Sequence, residues 1–338
     1  MKRIGILFGQ ERSFPYALVD RINREGAEVV AEPARIGGVR LDGPRRYDLL
    51  LDRISQDIPF YRAVLKKAVA DGTIVVNNPF WWSADDKFFN NVIARSVDVA
   101  VPKTVILPSN QHPPDTTAES MSNLVFPLDW NEIFSYVGFP AYFKPYSGGG
   151  WKNVYRVTNP DEFFSAYRES GQHVMTLQEE IVFEEYFRCY AIGRREVHVM
   201  RYDPRQPHHG RYVQNAPPID PALHDRVRAD CVKLTEALGY DFDTLEFAVR
   251  DGVPYAIDFL NPAPDADVRS VGQANFDWVV EHAAKWLVAR VQQESPVLSD
   301  LRWQSFLAAG ESAAPARRSP ARRRKPPAAR TAASPPEA

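Results

Sequence analysis

The chain has 338 residues, of which 44% are hydrophobic and 12% aromatic, so it can bury a sizeable core in two or three domains. Its net charge of −2 argues against nucleic acid as the main partner, and no apolar run is long enough to span a membrane. The two cysteines, Cys189 and Cys231, lack metal-ligand spacing and predict a reducing compartment without a disulfide framework. The N-terminal apolar run is too short for a signal peptide, so we expect a cytoplasmic protein.

Strands and helices alternate along residues 1–100. Strands are predicted in RIGILF, AEVVAEP, YDLLLDR and TIVVNN, and helices in FPYALVDRINREG and PFYRAVLKKAVADG. This alternation predicts an N-terminal α/β domain whose mostly parallel sheet is covered on both faces. A third helix is predicted in SADDKFFNNVIARS, with Ser83 as its N-cap and Asp86 as its third helical residue, in a variant of the capping box.

Hairpins replace this alternation after residue 100. Turns are predicted at the glycines of AYFKPYSGGGWKNVYRV, at Gly193–Arg194 and at Asp251–Gly252, each between two strand-like segments. Helical segments such as NPDEFFSAYRESG and PALHDRVRADCVKLTEALGY separate the hairpins. Antiparallel hairpins packed by helices indicate an α+β unit, which we place at residues 101–295.

The C-terminal segment, residues 311–338, differs from the rest of the chain in composition. It holds seven basic and two acidic residues, a net charge of +5, which leaves −7 on residues 1–310. Its prolines, alanines and arginines include no large apolar side chain, so we expect a disordered tail. A solvated extension is the favoured interpretation, and contact of Arg322–Lys325 with nucleic acid or an acidic surface is the alternative.

The first candidate motif is the glycine-rich segment FKPYSGGGWKN. It is neither a Walker loop, because Lys144 precedes the glycines, nor a GxGxxG turn that opens a helix, because strand-like residues follow. A flexible hairpin turn is one interpretation. A phosphate-binding loop is the other, because Lys144 ends a strand and the N–H groups of successive glycines can approach an anion closely.

The second motif is the acidic segment LQEEIVFEEYFRC. Its carboxylates flank the apolar pair Ile181–Val182 and belong to Glu179, Glu180, Glu184 and Glu185. It is either a solvated loop or a nucleotide clamp, in which backbone groups near Glu180–Val182 read adenine and a later carboxylate accepts the ribose hydroxyls. Arg188 follows inside a strand-like segment, where a guanidinium needs an anionic partner such as phosphate.

The third motif is LEFAVRDGVPYAIDFLNPAPDAD, residues 245–267. Glu246 lies on one arm of the predicted hairpin, and Asp258 and Asn261 lie on the other. Mg²⁺ bound to a polyphosphate takes few protein carboxylates and completes its shell with phosphate oxygens and water. An isolated turn aspartate is the alternative, but the clustering of these oxygen ligands favours a metal site.

Together, the three motifs resemble the ATP-grasp superfamily, in particular the branch of glutathione synthetase, D-alanine–D-alanine ligase and the ribosomal-protein glutamate ligases. The resemblance covers about residues 75–290. NNPFWWSADDKFFNNVIARSVDVAVPKTVIL is similar to the helix with a phosphate-contacting lysine, and FPAYFKPYSGGGWKNV to the strand and flap that cover the triphosphate. LQEEI is similar to the hinge, EYFRCYAIG to the strand with an acid and an arginine, and LGYDFDTLEFAVRDGVPYAIDFLNP to the metal-binding hairpin.

The resemblance implies a fold and a set of site residues. ATP would lie between two antiparallel sheets, together with Mg²⁺ or, as an alternative, Mn²⁺. The implied nucleotide-binding residues are Lys87, Lys144, Ser147, Gly148, Gly149, Gly150, Glu179, Glu180, Ile181 and Glu185. The implied metal ligands are Glu246, Asp258 and Asn261, and the implied catalytic residues are Arg188 and Arg201, with Arg211 as an alternative phosphate contact.

Two features of the metal-binding hairpin depart from the family pattern. The first carboxylate is Glu246, where that branch more often has aspartate. Asp258 precedes Asn261 by three residues rather than two, so both can face one ion only if a β-bulge intervenes. Asp265 is an alternative ligand.

The implied reaction is the joining of a small-molecule carboxylate to an amine or thiol through an acylphosphate, with release of ADP and phosphate. An amino acid or peptide acceptor is expected by family analogy, and a homo-oligomer stays open. The rival interpretation is a regulatory protein that binds nucleotide without catalysis. A dinucleotide-dependent oxidoreductase ranks lower, because GxGxxG is missing after the first strand, as does a nucleic-acid-binding protein that relies on the tail alone.

Overall fold

The computed structural model describes residues 1–25, 28–83, 86–207, 210–214 and 216–293. In this part of the chain, helices surround three four-stranded sheets. The predicted tail, residues 311–338, lies outside the described residues. Among the described helices, none combines the length and the apolar character needed to cross a bilayer.

The N-terminal sheet is parallel, with the strand order β2-β1-β3-β4. Its elements are β1 (Lys2–Phe8), α1 (Phe14–Glu25), β2 (Val29–Pro33), β3 (Leu49–Arg53), α2 (Pro59–Ala70) and β4 (Ile74–Val76). Successive residues of a strand face opposite sides of the sheet. Leu49 and Leu51 therefore pack in the core that includes α1, whereas Leu50 packs with Leu65 of α2. The predicted parallel sheet with both faces covered is confirmed.

The central sheet is antiparallel, with the strand order β5-β8-β6-β7. Its strands are β5 (Thr104–Leu107), β6 (Ala141–Pro145), β7 (Tyr155–Val157) and β8 (Met175–Glu179), and it is accompanied by α4 (Trp130–Val137) and α5 (Pro160–Glu169). Phe143 of β6 and Phe163 of α5 meet with ring centroids 5.2 Å apart in an aromatic core. Because Phe143 and Leu177 point into this core, the adjacent residues Lys144 and Gln178 point to the opposite face.

The third sheet is also antiparallel, with the strand order β10-β9-β11-β12. It contains β9 (Glu185–Ile192), β10 (Glu196–Arg201), β11 (Phe242–Arg250) and β12 (Val253–Asp258), and its helices are α3 (Lys87–Ser96), α6 (Pro221–Leu238), α7 (Val268–Val271) and α8 (Gln273–Gln292). Cys189 of β9 and Cys231 of α6 share the core on one face, and Tyr190 packs on the other face with α8. All three predicted hairpins are confirmed. The boundary near residue 100, between β4 and β5, stays a prediction.

The start of α3 differs from the prediction. The helix begins at Lys87, and its N-cap is Asp86, whose carboxylate accepts the Phe89 N–H at 2.8 Å. Ser83 was therefore wrong as the N-cap. It is buried, and its carbonyl oxygen accepts a hydrogen bond from Asn90 instead. This start places Lys87 in the first turn of α3, where unpaired N–H groups favour negative charge.

Asn77, directly after β4, joins the parallel sheet to β11. Its buried side-chain oxygen accepts the N–H groups of Asp241 and Phe242 at 2.7 and 2.9 Å, and its amide donates to the Phe242 carbonyl at 2.7 Å. We expect Asn77→Ala to lower the free energy of unfolding by about 3 kcal/mol, because it leaves three backbone groups without partners. Urea unfolding checks this value, with Asn78→Ala as the control, since the Asn78 side-chain oxygen accepts only the nearby Phe80 N–H among the bonds described. Equal losses for both variants would contradict the expectation.

Candidate functional site

A cleft separates the central sheet from β12, and α3 closes one end of it. The side chains around it are mostly polar, and they come from elements of both antiparallel sheets. The lining residues are Lys87, Asn90, Asn91, Thr104, Lys144, Thr176, Gln178, Ile257, Asp258 and Phe259. Two of the predicted phosphate ligands and one predicted metal ligand therefore line the same cleft.

The two lysines of the cleft come from different elements. The Nζ atom of Lys87 lies 2.8 Å from Oδ1 of Asp258, and the Lys87 N–H donates to the Tyr146 carbonyl at 2.9 Å. Burial lowers the pKa of Lys144 to about 8, and the charge of Lys87 adds to this effect. Partial enclosure would raise the pKa of Asp258, but the charges of Lys87 and Lys144 hold it below its ordinary value. The two ammonium groups share one half-exposed carboxylate, so the cleft can accept further negative charge.

The two predicted metal carboxylates lie opposite each other on neighbouring strands. Glu246 of β11 pairs with Asp258, whereas the next pair along is Phe247 with Ala256, so Ile257 is the extra residue of a β-bulge. A bulge redirects the side chains that follow it, and here it brings Asp258 into register with Glu246. This bulge precedes Asp258 and therefore differs from the one that the sequence required, which would lie between Asp258 and Asn261.

Glu246 is held by two side chains of β9. The Tyr186 hydroxyl donates to Oε2 at 2.6 Å, and Nη1 of Arg188 donates to Oε1 at 2.8 Å. Burial would lower the pKa of Arg188, but the Glu246 carboxylate outweighs it and raises the pKa above its ordinary value. Arg188 therefore stays charged, and the partner that the structure gives it is this carboxylate, where the sequence suggested phosphate.

The remaining metal candidates have protein partners. The Asn261 N–H donates to Asp243 at 2.7 Å, and its side-chain oxygen accepts the Ala263 N–H at a long 3.3 Å. Asp265 accepts hydrogen bonds from the Ser270 hydroxyl and the Asp267 N–H, which turn its carboxylate towards the start of α7. Asp265 is thus engaged elsewhere, and the role of Asn261 stays a prediction.

The donor set fits Mg²⁺. Glu246 and Asp258 offer hard carboxylate oxygens in adjacent register, and the cationic side chains of Lys87 and Lys144 line the same cleft as Asp258. Across the described residues, no group of three or more His, Cys, Asp and Glu side chains forms a metal cage. A site with two carboxylates leaves positions for phosphate oxygens and water.

The glycine segment, Ser147–Gly150, lies in the connection between β6 and β7. Gly148 and Gly150 have φ angles of 84° and 73°, and no atom lies within 4 Å of a Cβ built on any of its three glycines. Trp151 follows with 56% of its surface exposed, and its ring packs against the Arg211 guanidinium at 5.6 Å. The segment is an open loop between antiparallel strands, as the sequence predicted.

Arginines neutralise the acidic residues predicted to bind nucleoside. Glu179 pairs with Arg250 at 2.7 Å. Glu180 pairs with Arg156 at 2.9 Å, and Ile181 beside it is buried. Glu185, expected to accept ribose hydroxyls, pairs with Arg201, itself expected to be catalytic. In the described structure Glu185 and Arg201 are ion-pair partners of each other. The nucleoside role of Glu185 and the catalytic role of Arg201 stay predictions.

Sequence reasoning missed several cleft residues. Thr176 and Gln178 alternate with the buried Met175 and Leu177, so the period-two pattern of MTLQ was the signal that two polar side chains share a face. Asn90 and Asn91 are buried on α3 and also line the cleft, and the signal in the sequence was two adjacent amides between apolar residues in FFNNVIA. Tyr186 had no comparable signal, since a tyrosine inside a strand usually belongs to the core.

Comparison with known proteins gave matches mainly at the level of structure. No family model matches the chain. Acetyl-CoA carboxylase of Dictyostelium discoideum is 25% identical over 217 residues, which are 56% of this chain and 9% of that protein. The chain therefore spans about a tenth of the length of this curated relative.

Solved structures cover the chain far more completely. A RimK domain protein of Sphaerobacter thermophilus is similar with a TM-score of 0.62 and 18% identity, over 84% of this chain and 98% of its own. D-alanine–D-alanine ligase of Bacillus anthracis, complexed with ATP, follows with a TM-score of 0.59 and 16% identity, over 88% and 100%. The ligase PsnB, complexed with a minimal precursor, Mg and ADP, has a TM-score of 0.56 and 15% identity, over 86% and 98%. At these identities the likeness concerns the fold.

Proposed function

We propose that this chain, which has the ATP-grasp fold, is an ATP-dependent ligase that joins a carboxylate to an amine or a thiol. The observation that carries the proposal is the cleft between two antiparallel sheets, where the lysine pair Lys87 and Lys144 meets the carboxylate pair Glu246 and Asp258. Opposite charges at this spacing suit a polyphosphate with a divalent cation, because each group then has a partner.

Each group of the cleft has a role in this proposal. Lys87 and Lys144 bind phosphate oxygens, and the N–H groups of Ser147–Gly150 add uncharged donors. Mg²⁺, with Mn²⁺ as the alternative, would be held by Glu246, Asp258 and Asn261 and would neutralise phosphate charge. Glu179–Ile181 and Glu185 form the nucleoside end of the site.

The chemistry proceeds in two transfers. A substrate carboxylate oxygen attacks the γ-phosphorus of ATP, and the bond between this phosphorus and the β–γ bridging oxygen breaks. ADP leaves, and the substrate now carries the phosphoryl group as an acylphosphate. An amine or thiol then attacks the acyl carbon, phosphate leaves, and the nucleophile loses its proton. Arg188 stabilises the negative charge that develops on the transferred phosphoryl group or the tetrahedral intermediate, with Arg201 as the second candidate. Positioning and charge neutralisation suffice, so no nucleophile of the protein is required.

The substrates are proposed at the level of class. D-alanine–D-alanine ligase, which shares the fold, is named for an amino acid ligation, and PsnB, which also shares it, was solved with a precursor peptide. We extend this by analogy to an amino acid or peptide substrate for the present chain. Two free, buried cysteines support a cytoplasmic location within the same proposal.

A screen of carboxylate and amine pairs with Mg²⁺ and ATP tests the proposal. We expect one or more pairs to release ADP, dependent on both substrates. We expect Asp258→Asn to lower the rate at least 100-fold, because the variant loses the negative charge that would face the metal and that pairs with Lys87. Asp161→Asn, on an exposed turn of α5, is the matched control. Release of AMP would contradict the proposed chemistry. ATP binding without turnover for any pair would favour the regulatory, nucleotide-binding alternative.

A further inference from the structure

Two buried hydrogen-bond donors beside Glu246 have no partner in the described structure. One is Nε of Arg188, whose other nitrogens donate to Glu246 and Thr244. The other is the hydroxyl of Tyr212, a residue whose exposure is only 6%. Buried polar groups in native proteins are nearly always paired, so two such donors in one place call for a ligand that accepts hydrogen bonds.

A tyrosine ring links the two donors. The Arg188 guanidinium lies 5.4 Å from the centroid of the Tyr202 ring, and the Tyr212 ring meets Tyr202 edge-on with centroids 5.1 Å apart. Tyr202 and Tyr212 also form a β-bridge, and the Tyr202 N–H donates to the Tyr186 carbonyl of β9 at 2.9 Å. Arg188 and Tyr212 therefore both contact the ring of Tyr202.

Both groups act as donors over the physiological pH range. Burial raises the pKa of the Tyr212 hydroxyl well above its ordinary value, and the nearby Arg188 charge only partly opposes this. Tyr190 is already engaged, because its hydroxyl donates to the Asp265 carbonyl. The Asp265 carboxylate, the other acid near Tyr212, is turned away by Ser270 and Asp267. The free hydrogen-bonding capacity at this place therefore suits an anion.

We propose that Tyr212 and Arg188 together bind the carboxylate group of the substrate that receives the phosphoryl group. The inference rests on the proposed ligase function and adds Tyr212 as a substrate-binding residue. A carboxylate fits better than a phosphate, because Glu246 already offsets the single cationic charge and Tyr212 adds a neutral donor. Entry of the carboxylate requires the Tyr202 and Tyr212 rings to shift outward. The position beside Glu246 then places the attacking oxygen next to the metal carboxylates.

Acetate, which carries only the proposed functional group, is the probe. Its affinity is measured by saturation-transfer NMR on the full chain, with and without Mg²⁺ and ADP, for the wild type, Tyr212→Phe and the control Tyr202→Phe. We expect Tyr212→Phe to weaken acetate binding about tenfold or more, and Tyr202→Phe to leave it within about twofold. Because the Tyr212 hydroxyl has no partner without ligand, we also expect Tyr212→Phe to unfold at the same or a higher urea concentration.

The outcomes separate this inference from the proposed function. Equal acetate affinities for Tyr212→Phe and Tyr202→Phe, or no acetate binding to the wild type, would overturn the carboxylate site even if Mg²⁺ and ADP bind normally. Failure of the wild type to bind Mg²⁺ and ADP would count against the ligase function, and the nucleotide-free titration would still decide the carboxylate site. Once a substrate pair is known, Tyr212→Phe should raise the KM for the carboxylate and leave the KM for ATP unchanged.

Discussion

Replacing Lys144 with methionine is expected to stabilise the ligand-free protein. The pKa of Lys144 is about 8, against an ordinary value of 10.5, because burial and the charge of Lys87 disfavour its ammonium form. A shift of this size corresponds to at most about 3 kcal/mol at neutral pH. The protein would thus hold an unfavourable charge in the cleft, and its removal should raise the free energy of unfolding.

The pH dependence of this gain follows from the direction of the shift. Between about pH 8 and 10.5 the unfolded chain binds a proton at Lys144 that the folded chain has lost, so wild-type stability rises with pH in this window. The gain in the free energy of unfolding that Lys144→Met gives over the wild type should therefore be complete below about pH 8 and absent above pH 10.5. Urea unfolding at both ends of the window checks it, with Lys2→Met, a half-exposed lysine of β1, as the control. A Lys144→Met variant that is less stable at neutral pH would contradict the expectation.

Removal of Glu246 is expected to have the opposite effect on stability. In Glu246→Leu the guanidinium of Arg188, only 12% exposed in its side chain, loses its carboxylate partner, and the Tyr186 hydroxyl loses its acceptor. An uncompensated charge at this depth lowers the free energy of unfolding by about 3 kcal/mol or more. The same variant should lose the proposed ligase turnover, because a carboxylate proposed to hold the metal is missing.

A double variant separates the two effects of Glu246. Arg188→Met combined with Glu246→Leu removes the stranded charge, so we expect most of the lost stability to return. Turnover should stay absent, because the double variant restores neither the carboxylate proposed to hold the metal nor the arginine. A double variant as unstable as Glu246→Leu alone would contradict the assignment of the pair as a charge-compensating unit. Recovery of turnover in the double variant would contradict its place in the active site.

Local sequence patterns were sufficient for the hairpins and for the orientation of Lys144. Short-range turn signals at Gly193–Arg194 and Asp251–Gly252 correctly placed two hairpins. The alternation of Phe143 and Lys144 at the end of a strand placed the lysine opposite the aromatic core, on the side of the cleft. These features depend on the residues within one turn or one strand, so they can be predicted from a short stretch of sequence.

Features that depend on distant pairing could not be predicted. The bulge at Ile257 is a property of the register between β11 and β12, and it became visible only once Glu246 was seen opposite Asp258. Glu179 and Arg250 are 71 residues apart, and no local pattern links them. The predicted N-cap of α3 was wrong for another reason. Both Ser83 and Asp86 are residue types that cap helices, and Ser83 is buried while Asp86 caps the helix.

Calorimetric titration of ATP in the presence of Mg²⁺ tests the central claim most directly, because the claim is that Lys144 and the facing carboxylates form one nucleotide site. We predict a binding heat for the wild type and for Lys2→Met that disappears when Mg²⁺ is chelated. We predict at least a 100-fold loss of affinity for Lys144→Met, even though this variant should be the more stable protein. Absence of heat in the wild type, or equal affinities for Lys144→Met and Lys2→Met, would contradict the account.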